Sequence, residues 1–167
     1  MALLEILRFP DPQLRIKAKP ITQIDDNIRR IVEDMYETMY ANHGVGLAAT
    51  QVNIHLQLFV MDVSDSHDQR ICVINPEILS REGKQVDKEG CLSVGNGIYD
   101  NVERAAKVHM RGMDIEGKIF ELHAEELMAA CIQHEIDHLN GILFVNHLSR
   151  LKQERILKKL EKIRERQ

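Results

Sequence analysis

Two histidines and a glutamate in Gln133-His134-Glu135-Ile136-Asp137-His138 have the spacing of a metal-binding motif. In a helix, residues four apart lie one above the other, so both imidazoles can reach one ion while Glu135 flanks it. An ion held in this way lowers the pKa of a bound water, and a neighbouring glutamate can accept the released proton as a general base. The motif therefore predicts a hydrolytic metal site.

The residues around the motif predict that it faces the protein interior. Leu127, Ala130, Cys131, His134 and His138 follow one another at steps of three or four residues, which is the spacing of one helix face. Histidines on such a face are either core residues satisfied by hydrogen bonds or ligands of an ion, because buried polar groups need partners. The spacing of the residues is compatible with both interpretations.

Helices are predicted both before and around the motif. Their ranges are residues 12–18, 24–42 and 125–139. Asp11-Pro12 is a typical helix start, and Thr22 is expected to cap the second helix. Gly44 is expected to end the second helix and Asn140-Gly141 the third.

Strands are predicted between the second helix and the motif. The candidates are residues 56–63, 70–74, 78–82, 84–89, 106–111 and 118–122. The first two are expected to form a hairpin, and Asn75-Pro76 is expected to end the second of them. Strands followed by the motif helix favour an α+β fold, with antiparallel sheets packed around that central helix and further helices at both termini.

The composition is that of an ordinary globular protein, and one domain over residues 1–167 is expected. A formal net charge of −4 and a pI near 6.1 give no overall reason to expect DNA binding. No secretory or membrane-spanning segment is recognised, which predicts a cytoplasmic protein without a membrane partner. No self-pairing apolar stripe remains outside the core, so a monomer is expected.

The metal needs at least one more protein ligand, and the candidates are the three cysteines, the other histidines and the free carboxylates. Cys131 is about 10 Å of helix rise from His138, too far for a shared ion, and is expected to be a buried pocket or core residue. Cys72 lies in an apolar strand. Cys91 follows Gly90 in an extended segment, where a thiolate can complete the site and leave a fourth position open for water.

Three segments together resemble the signature motifs of the peptide deformylase family, in that family's order. They are Gly44-Val45-Gly46-Leu47-Ala48-Ala49-Thr50-Gln51, Glu89-Gly90-Cys91-Leu92-Ser93 and the motif from Gln133 to His138. The resemblance extends over roughly residues 3–160. It implies an enzyme that removes the formyl group from the N-terminal formyl-methionine of nascent bacterial polypeptides.

The resemblance implies a role for each matching residue. Cys91, His134 and His138 would hold one divalent metal, natively Fe²⁺, although Zn²⁺, Ni²⁺ or Co²⁺ can occupy such a site. Metal-bound hydroxide would be the nucleophile and Glu135 the general base. The Gln51 side chain and the Leu92 backbone N–H would stabilise the negative oxygen of the intermediate.

The resemblance also implies how the substrate is held. The peptide would add as a strand, with hydrogen bonds around Val45, Gly46 and Gly90. The methionine pocket would include Leu127, Ala130 and Cys131, for which ordinary core packing is the alternative. Glu89 and Arg104 would form a buried ion pair that supports the Cys91 segment, and their alternative is two solvated charges.

Two regions need separate interpretation. Residues 95–97, Gly-Asn-Gly, replace a proline that many bacterial members carry. The resemblance therefore does not predict the shape of the substrate-channel wall at this place. Residues 150–167 carry eight Lys or Arg against three Glu, a local charge of about +5. This stretch predicts a basic C-terminal helix, which is either a solvated surface or a site that docks on the ribosome.

Two other functions share part of this pattern. A metallopeptidase that cuts internal peptide bonds has the same two-histidine helix, but a cysteine ligand and the Gly-x-Gly…Gln segment argue against it. A binding protein with a structural metal is the third interpretation. Structural sites usually have four protein ligands, whereas three are found here beside a glutamate placed to act as a base, which favours an enzyme.

Overall fold

A computed structural model of the chain describes residues 2–166. Three α-helices are found in this range: α1 (Asp26–Ala41), α2 (Glu126–Leu139) and α3 (Arg150–Glu165). Short 3₁₀ helices cover Pro12–Arg15, Ala49–Val52 and Phe144–His147. α3 corresponds to the predicted basic helix; Gln167, the last residue of that prediction, lies outside the described residues. No helix within them is long and apolar enough to cross a bilayer.

Seven strands form two antiparallel sheets. They are β1 (Gly46–Ala48), β2 (Leu58–Met61), β3 (Ile71–Glu82), β4 (Gln85–Glu89), β5 (Asp100–Arg104), β6 (Lys107–Met113) and β7 (Ile119–Glu125). The larger sheet has the order β1-β2-β3-β6-β7, and β4 pairs with β5 in the smaller one. The predicted α+β class with antiparallel sheets is therefore confirmed.

The helix that carries the motif is packed on the larger sheet. α2 contacts β1, β2, β6 and β7. Its Ile132 is fully buried in one cluster with Phe59, Met61 and Met110 from the strands. α1 covers β1 and β2 with its apolar face. The sheet thus holds α2 in place through mainly aliphatic packing, in keeping with the low aromatic content.

The helix boundaries differ from the prediction where local hydrogen bonds decide them. The first helix is only the 3₁₀ turn Pro12–Arg15, because Ile16 is already extended. α1 is capped by Asp25, not Thr22: the Asp25 carboxylate accepts a hydrogen bond from the Ile28 N–H at 3.0 Å. At its end, His43 rather than Gly44 has a positive φ, 58°.

The prediction that Asn75-Pro76 ends a strand is wrong. β3 continues through both residues with a shift of register between Ile74 and Glu77, and this irregularity accommodates a proline that lacks an N–H. The Asn75 side chain also bonds the backbone N–H and C=O of Ile21, at 2.8 and 2.9 Å. β5 was not predicted, because a charged residue, Arg104, occupies one of its buried positions.

Candidate metal centre and active site

Three side chains from two segments meet beside α2. The Cys91 Sγ lies 3.2 Å from the His138 Nε2, and the His138 Nε2 lies 3.2 Å from the His134 Nε2. All three donor atoms lie within 4.8 Å of one another. One thiolate and two imidazoles at this separation suit a tetrahedral transition-metal ion with one further position. The residues present therefore fit a metal.

Local structure explains why these donors converge. His134 and His138 are one helical turn apart on α2, and the Thr50 hydroxyl donates to the His138 carbonyl at 3.1 Å, which ties α2 to the segment after β1. Cys91 follows β4 in a tight turn, where its carbonyl accepts the N–H groups of Val94 and Gly95 at 3.0 and 2.8 Å. Backbone hydrogen bonds thus fix the thiol against the helix.

An ion-pair network lies behind His134. The His134 Nδ1–H donates to the Glu89 Oε1 at 2.9 Å, and Arg104 donates twice to the same carboxylate, at 2.9 Å each. Arg104 also donates to Asp137 at 2.6 Å. Burial opposes ionisation of Glu89, but the hydrogen bonds from Arg104 and His134 outweigh it and lower the pKa of Glu89 to about 2. The Glu89–Arg104 contact predicted from the sequence is thus present.

The network also fixes the chemical form of the imidazoles. With the proton on Nδ1 of His134 held by Glu89, Nε2 is the nitrogen that faces the other two donors. Burial opposes a charge on His134, but hydrogen bonds to Cys91 and Glu89 and the Glu135 carboxylate raise its pKa, so a second proton competes with an ion for this Nε2. Burial lowers the pKa of His138, which keeps that imidazole neutral and suited to bind an ion.

Glu135 lies beside the three donors and is buried. It is only 3% exposed, and its Oε1 has no hydrogen-bond partner within residues 2–166. Burial is the main cause that raises the pKa of Glu135, to about 7. A carboxyl group with a pKa near neutrality can both accept and return a proton.

Gln51 is oriented by its own segment. Its amide oxygen accepts the Ala48 N–H at 3.0 Å, so its NH₂ group faces the other way and donates to Ser93 at 3.1 Å. The same nitrogen lies 3.5 Å from the Cys91 Sγ. A fixed donor therefore stands next to the three candidate metal donors. Ser93 was not among the predicted site residues.

An open cleft of about 480 Å³ runs past these groups. Its lining includes all the residues expected to bind substrate, together with Gln51, Leu92, Cys91, His134 and Glu135. Leu127 is 55% exposed at the rim, so the expectation that it faces the interior is wrong, because it lies in the first turn of α2. Cys131 is buried, and burial raises the pKa of its thiol. Tyr99, which the sequence did not suggest, also lines the cleft.

The chain matches known proteins over nearly its whole length. It matches the model of the family described as Polypeptide deformylase over residues 3–154. The chain belongs to the peptide deformylase family. It is 58% identical over 163 residues to the peptide deformylase of Azotobacter vinelandii, covering 97% of this chain and 96% of that protein. For the one from Cellvibrio japonicus the identity is 56% over 164 residues, with coverage of 97% and 96%.

Solved peptide deformylase structures share the fold. The crystal structure from Legionella pneumophila superposes with a TM-score of 0.93 at 45% identity and covers 98% of this chain and 96% of that one. The Ehrlichia chaffeensis enzyme in complex with actinonin gives a TM-score of 0.93 at 38% identity, with coverage of 97% and 98%. Peptide deformylases are metal-dependent hydrolases that remove N-terminal formyl groups, so this chain is an enzyme of that class.

The Gly-Asn-Gly segment, residues 95–97, forms part of the cleft wall. Gly95 and Gly97 both have positive φ, 59° and 69°, a backbone conformation that proline cannot adopt. Behind this segment, the Arg8 guanidinium donates to the Leu92 carbonyl. The Gly-Asn-Gly loop therefore has a backbone conformation that a proline at Gly95 or Gly97 would not allow, while the N–H groups of Val94 and Gly95 hold the Cys91 turn.

Proposed function

We propose that this chain removes the formyl group from the N-terminal formyl-methionine of nascent polypeptides and releases formate. In this proposal, Cys91, His134 and His138 hold one divalent metal. The observation that carries it is the convergence of three metal-donor atoms within 4.8 Å beside a buried carboxyl, on the wall of an open cleft. Glu89 and Arg104 keep His134 oriented from behind.

We propose Fe²⁺ as the native metal, in line with the resemblance to the family. Thiolate and imidazole donors also bind Zn²⁺, Ni²⁺ and Co²⁺, so those ions are expected to substitute. When bound, the ion supplies a Lewis acid that acidifies water and polarises the formyl carbonyl. Metal analysis of protein purified without oxygen, compared with protein purified in air, tests the identity of the native ion.

Glu135 moves the proton in this mechanism. Its carboxylate accepts a proton from the attacking water and passes it to the amine as the carbon–nitrogen bond breaks, so the products are formate and a free N-terminus. A methyl group placed on Gly46 would lie 2.5 Å from the Glu135 Oε2, so the backbone at Gly46 and the carboxyl are neighbours. A substrate bound at Gly46 thus has its amine within reach of Glu135.

Two donors are assigned to the oxygen that becomes negative. The Gln51 NH₂ group is held next to Cys91 by the bond between the Gln51 oxygen and the Ala48 N–H, so it needs no reorientation during the reaction. The Leu92 backbone N–H, from the residue that follows Cys91 along the cleft, is the second donor.

The peptide is proposed to add to the free edge of β1. Within the described residues β1 pairs only with β2, and the Val45 carbonyl accepts the Asp62 N–H at 2.8 Å on that side. Because backbone groups alternate in direction along a strand, the N–H and C=O of Gly46 point to the open edge. Val45, which is 42% exposed, and Gly90 line the same cleft. Backbone pairing of this kind tolerates many downstream sequences.

The methionine side chain is assigned to the pocket formed by Leu127, Ala130 and Cys131. All three line the cleft from one face of α2, next to His134. The Cys131 Sγ would lie 2.8 Å from a methyl group on Gly46, so the thiol packs against the residue of β1 to which the substrate strand is proposed to bind. A polarisable, mostly apolar wall suits a flexible thioether chain.

The test is formate release from formyl-Met-Ala-Ser, with unformylated Met-Ala-Ser and acetyl-Met-Ala-Ser as controls and the metal counted in the same sample. Rapid release from the formyl peptide alone is expected. Cleavage of the unformylated peptide would identify a metallopeptidase instead. No release at one bound metal per chain would mean that the metal is structural or that the site serves another amide, and the proposal would be wrong.

We further propose that α3 docks the enzyme on the ribosome. Residues 150–167 carry a charge of about +5, and Arg155, Lys158, Lys159 and Lys162 are exposed at helical spacing along one side. In this proposal the chain acts in the cytoplasm as a single-domain monomer. Light scattering of the purified enzyme tests the oligomeric state.

A further inference from the structure

We infer that His147 is a positioning residue for the metal centre, and that it acts on His134 through Asp137, Arg104 and Glu89. The inference rests on the proposed assignment of His134 as a metal ligand. Four polar contacts link the surface ring of His147 to that ligand, with distances of 2.8, 2.6, 2.9 and 2.9 Å in order along the chain of side chains.

The contacts of Asp137 determine how His147 acts. A single oxygen, Asp137 Oδ2, accepts from both the His147 Nε2–H, at 2.8 Å, and the Arg104 Nη1–H, at 2.6 Å. Because a carboxylate oxygen only accepts, the 2.8 Å contact with Asp137 requires a proton on the His147 Nε2, so this nitrogen cannot also accept from the Arg104 Nη1, which lies 3.4 Å away. His147 therefore carries its proton on Nε2 and competes with Arg104 for one acceptor.

Arg104 divides one positive charge between two carboxylates. It is almost fully buried, at 5% side-chain exposure, whereas Glu89 is 11% and Asp137 22% exposed. In such a dry site each carboxylate attracts the guanidinium strongly. The hydrogen bond from His147 partly satisfies Asp137, which leaves the Nε–H and Nη2–H of Arg104 free to hold Glu89 on the other side.

Glu89 in turn sets the orientation and basicity of His134. A carboxylate that accepts the Nδ1–H of a ligand histidine fixes its ring and strengthens its binding to metal. Removal of the His147 donor leaves Asp137 short of one bond, and Arg104 is expected to shift towards Asp137. The Glu89–Arg104 contact then loosens, and with it the orientation of His134.

His147 lies at the protein surface and connects this network to it. It is the last residue of the 3₁₀ helix Phe144–His147, which connects α2 to α3, and its side chain is 39% exposed. Phe144, from the same short helix, lies against the His134 ring with centroids 6.4 Å apart. The segment between the two helices thus contacts the metal ligand in two ways, by an apolar ring and by a polar network.

The first test compares His147→Leu, which removes the donor, with His147→Gln, whose amide N–H can still donate to Asp137. Zn²⁺ affinity, measured by competition with a chelator, is expected to fall about tenfold in His147→Leu and to stay within about twofold of wild type in His147→Gln. The absorption spectrum of the Co²⁺-loaded enzyme is expected to change only in the Leu variant. His123→Leu, another exposed histidine, on β7, is the matched control and should change neither property.

The kinetic readout separates positioning from substrate contact. His147 does not line the cleft. For formyl-Met-Ala-Ser, His147→Leu is therefore expected to lower kcat several-fold with KM unchanged. If the leucine variant is poorly folded by thermal melting, His147→Ala takes its place in every comparison.

A second variant tests the route. In an Asp137→Asn background, adding His147→Leu is expected to cause no further loss of Zn²⁺ affinity, because both changes act on one acceptor. The inference would be overturned if the losses of Zn²⁺ affinity from Asp137→Asn and His147→Leu were fully additive. It would also be overturned if His147→Leu bound Zn²⁺ as tightly as wild type, or if His147→Leu and His147→Gln had equal effects. Metal affinity is measured without substrate, so a wild-type enzyme that binds Zn²⁺ but releases no formate would count against the proposed function and leave this test intact.

Discussion

At the residue scale, Glu135 is the side chain on which the proposed reaction depends most. It is deeply buried, and its Oε1 has no hydrogen-bond partner within residues 2–166. Glu135→Gln keeps the shape of the side chain but cannot accept a proton. We expect kcat/KM for formyl-Met-Ala-Ser to fall roughly 10²- to 10⁴-fold while one metal per chain is retained. Glu126→Gln, at the exposed start of the same helix, is the control and should leave kcat/KM unchanged. Full activity in Glu135→Gln would contradict the assignment of Glu135 as the general base.

Gly46 is the residue whose missing side chain makes room for Glu135. A methyl group there would lie 2.5 Å from the Glu135 Oε2 and 2.8 Å from the Cys131 Sγ, distances too short for unstrained contacts. Gly46→Ala is therefore expected to lower kcat/KM at least tenfold by displacing the carboxylate or blocking the strand edge, with the metal content unchanged.

The control for Gly46→Ala is a glycine of the cleft wall that has free space around it. A methyl group on Gly97 would meet nothing within 4 Å, although its φ of +69° is unfavourable for alanine. Gly97→Ala is expected to cost about 1 kcal/mol of unfolding free energy and to reduce kcat/KM less than Gly46→Ala. Equal activity losses in the two variants would show that Gly46 needs no special space.

The sequence predicted the residues that have a fixed spacing and missed those that meet only in the fold. Two histidines four apart are recognisable from their spacing alone. Ser93, which accepts a hydrogen bond from Gln51, and Tyr99, which lines the cleft, lie in irregular segments that no periodic pattern predicts. Asp137 stands inside the motif, but its bond to Arg104 depends on β5, a strand the sequence did not reveal. His147 carries no sequence signal at all.

At the scale of elements, a single hydrogen bond joins α1 to the end of β2. The Tyr40 hydroxyl donates to the Asp62 Oδ2 at 2.5 Å. Burial would raise the pKa of Asp62, but hydrogen bonds from Ser64 and Tyr40 outweigh it and lower that pKa. We expect Tyr40→Phe to reduce the free energy of unfolding by about 1.5–3 kcal/mol at pH 7, since it removes a bond to a buried charge.

The pH dependence of this loss has a definite sign. A carboxyl group whose pKa is lowered in the folded state stabilises the fold above its ordinary pKa, and this contribution disappears as the pH falls through the lowered value. The difference between wild type and Tyr40→Phe should therefore be largest near neutrality and shrink below about pH 4. Urea unfolding at several pH values, with equal metal loading, measures it. Tyr99→Phe, whose side chain is exposed, should show no such trend.

Helices and strands were predicted correctly where a periodic hydrophobic pattern extends over many residues. The prediction failed where one polar side chain determines the local structure. The stripes of α1 and α2 gave both helices to within about two residues at each end. Asn75 misled the prediction because a turn-forming residue here bonds Ile21 and keeps the strand in the sheet. The alternation of β5 was hidden by Arg104, which is buried only because Glu89 and Asp137 pair with it.

At the scale of the whole molecule, α3 is both part of the core and a charged surface. Ile156 and Leu160 are buried in one cluster with Phe9 and Val94, a part of the core next to the Cys91 turn. Removal of the helix would therefore disturb the catalytic body together with any docking surface. Truncation after Leu148 is a poor test of ribosome binding for this reason.

Substitutions that separate the two roles of α3 give a sharper prediction. Leu160→Ala removes a side chain that is only 4% exposed and should lower the free energy of unfolding by about 2–4 kcal/mol, without changing the salt dependence of ribosome binding. The double variant Lys158→Glu and Lys162→Glu changes exposed residues and should leave urea unfolding within about 0.5 kcal/mol. It should also weaken co-sedimentation with ribosomes and flatten its dependence on salt, because fewer phosphate contacts release fewer counterions. Unchanged co-sedimentation in this folded variant would show that α3 serves the core alone, and ribosome docking would have to be withdrawn.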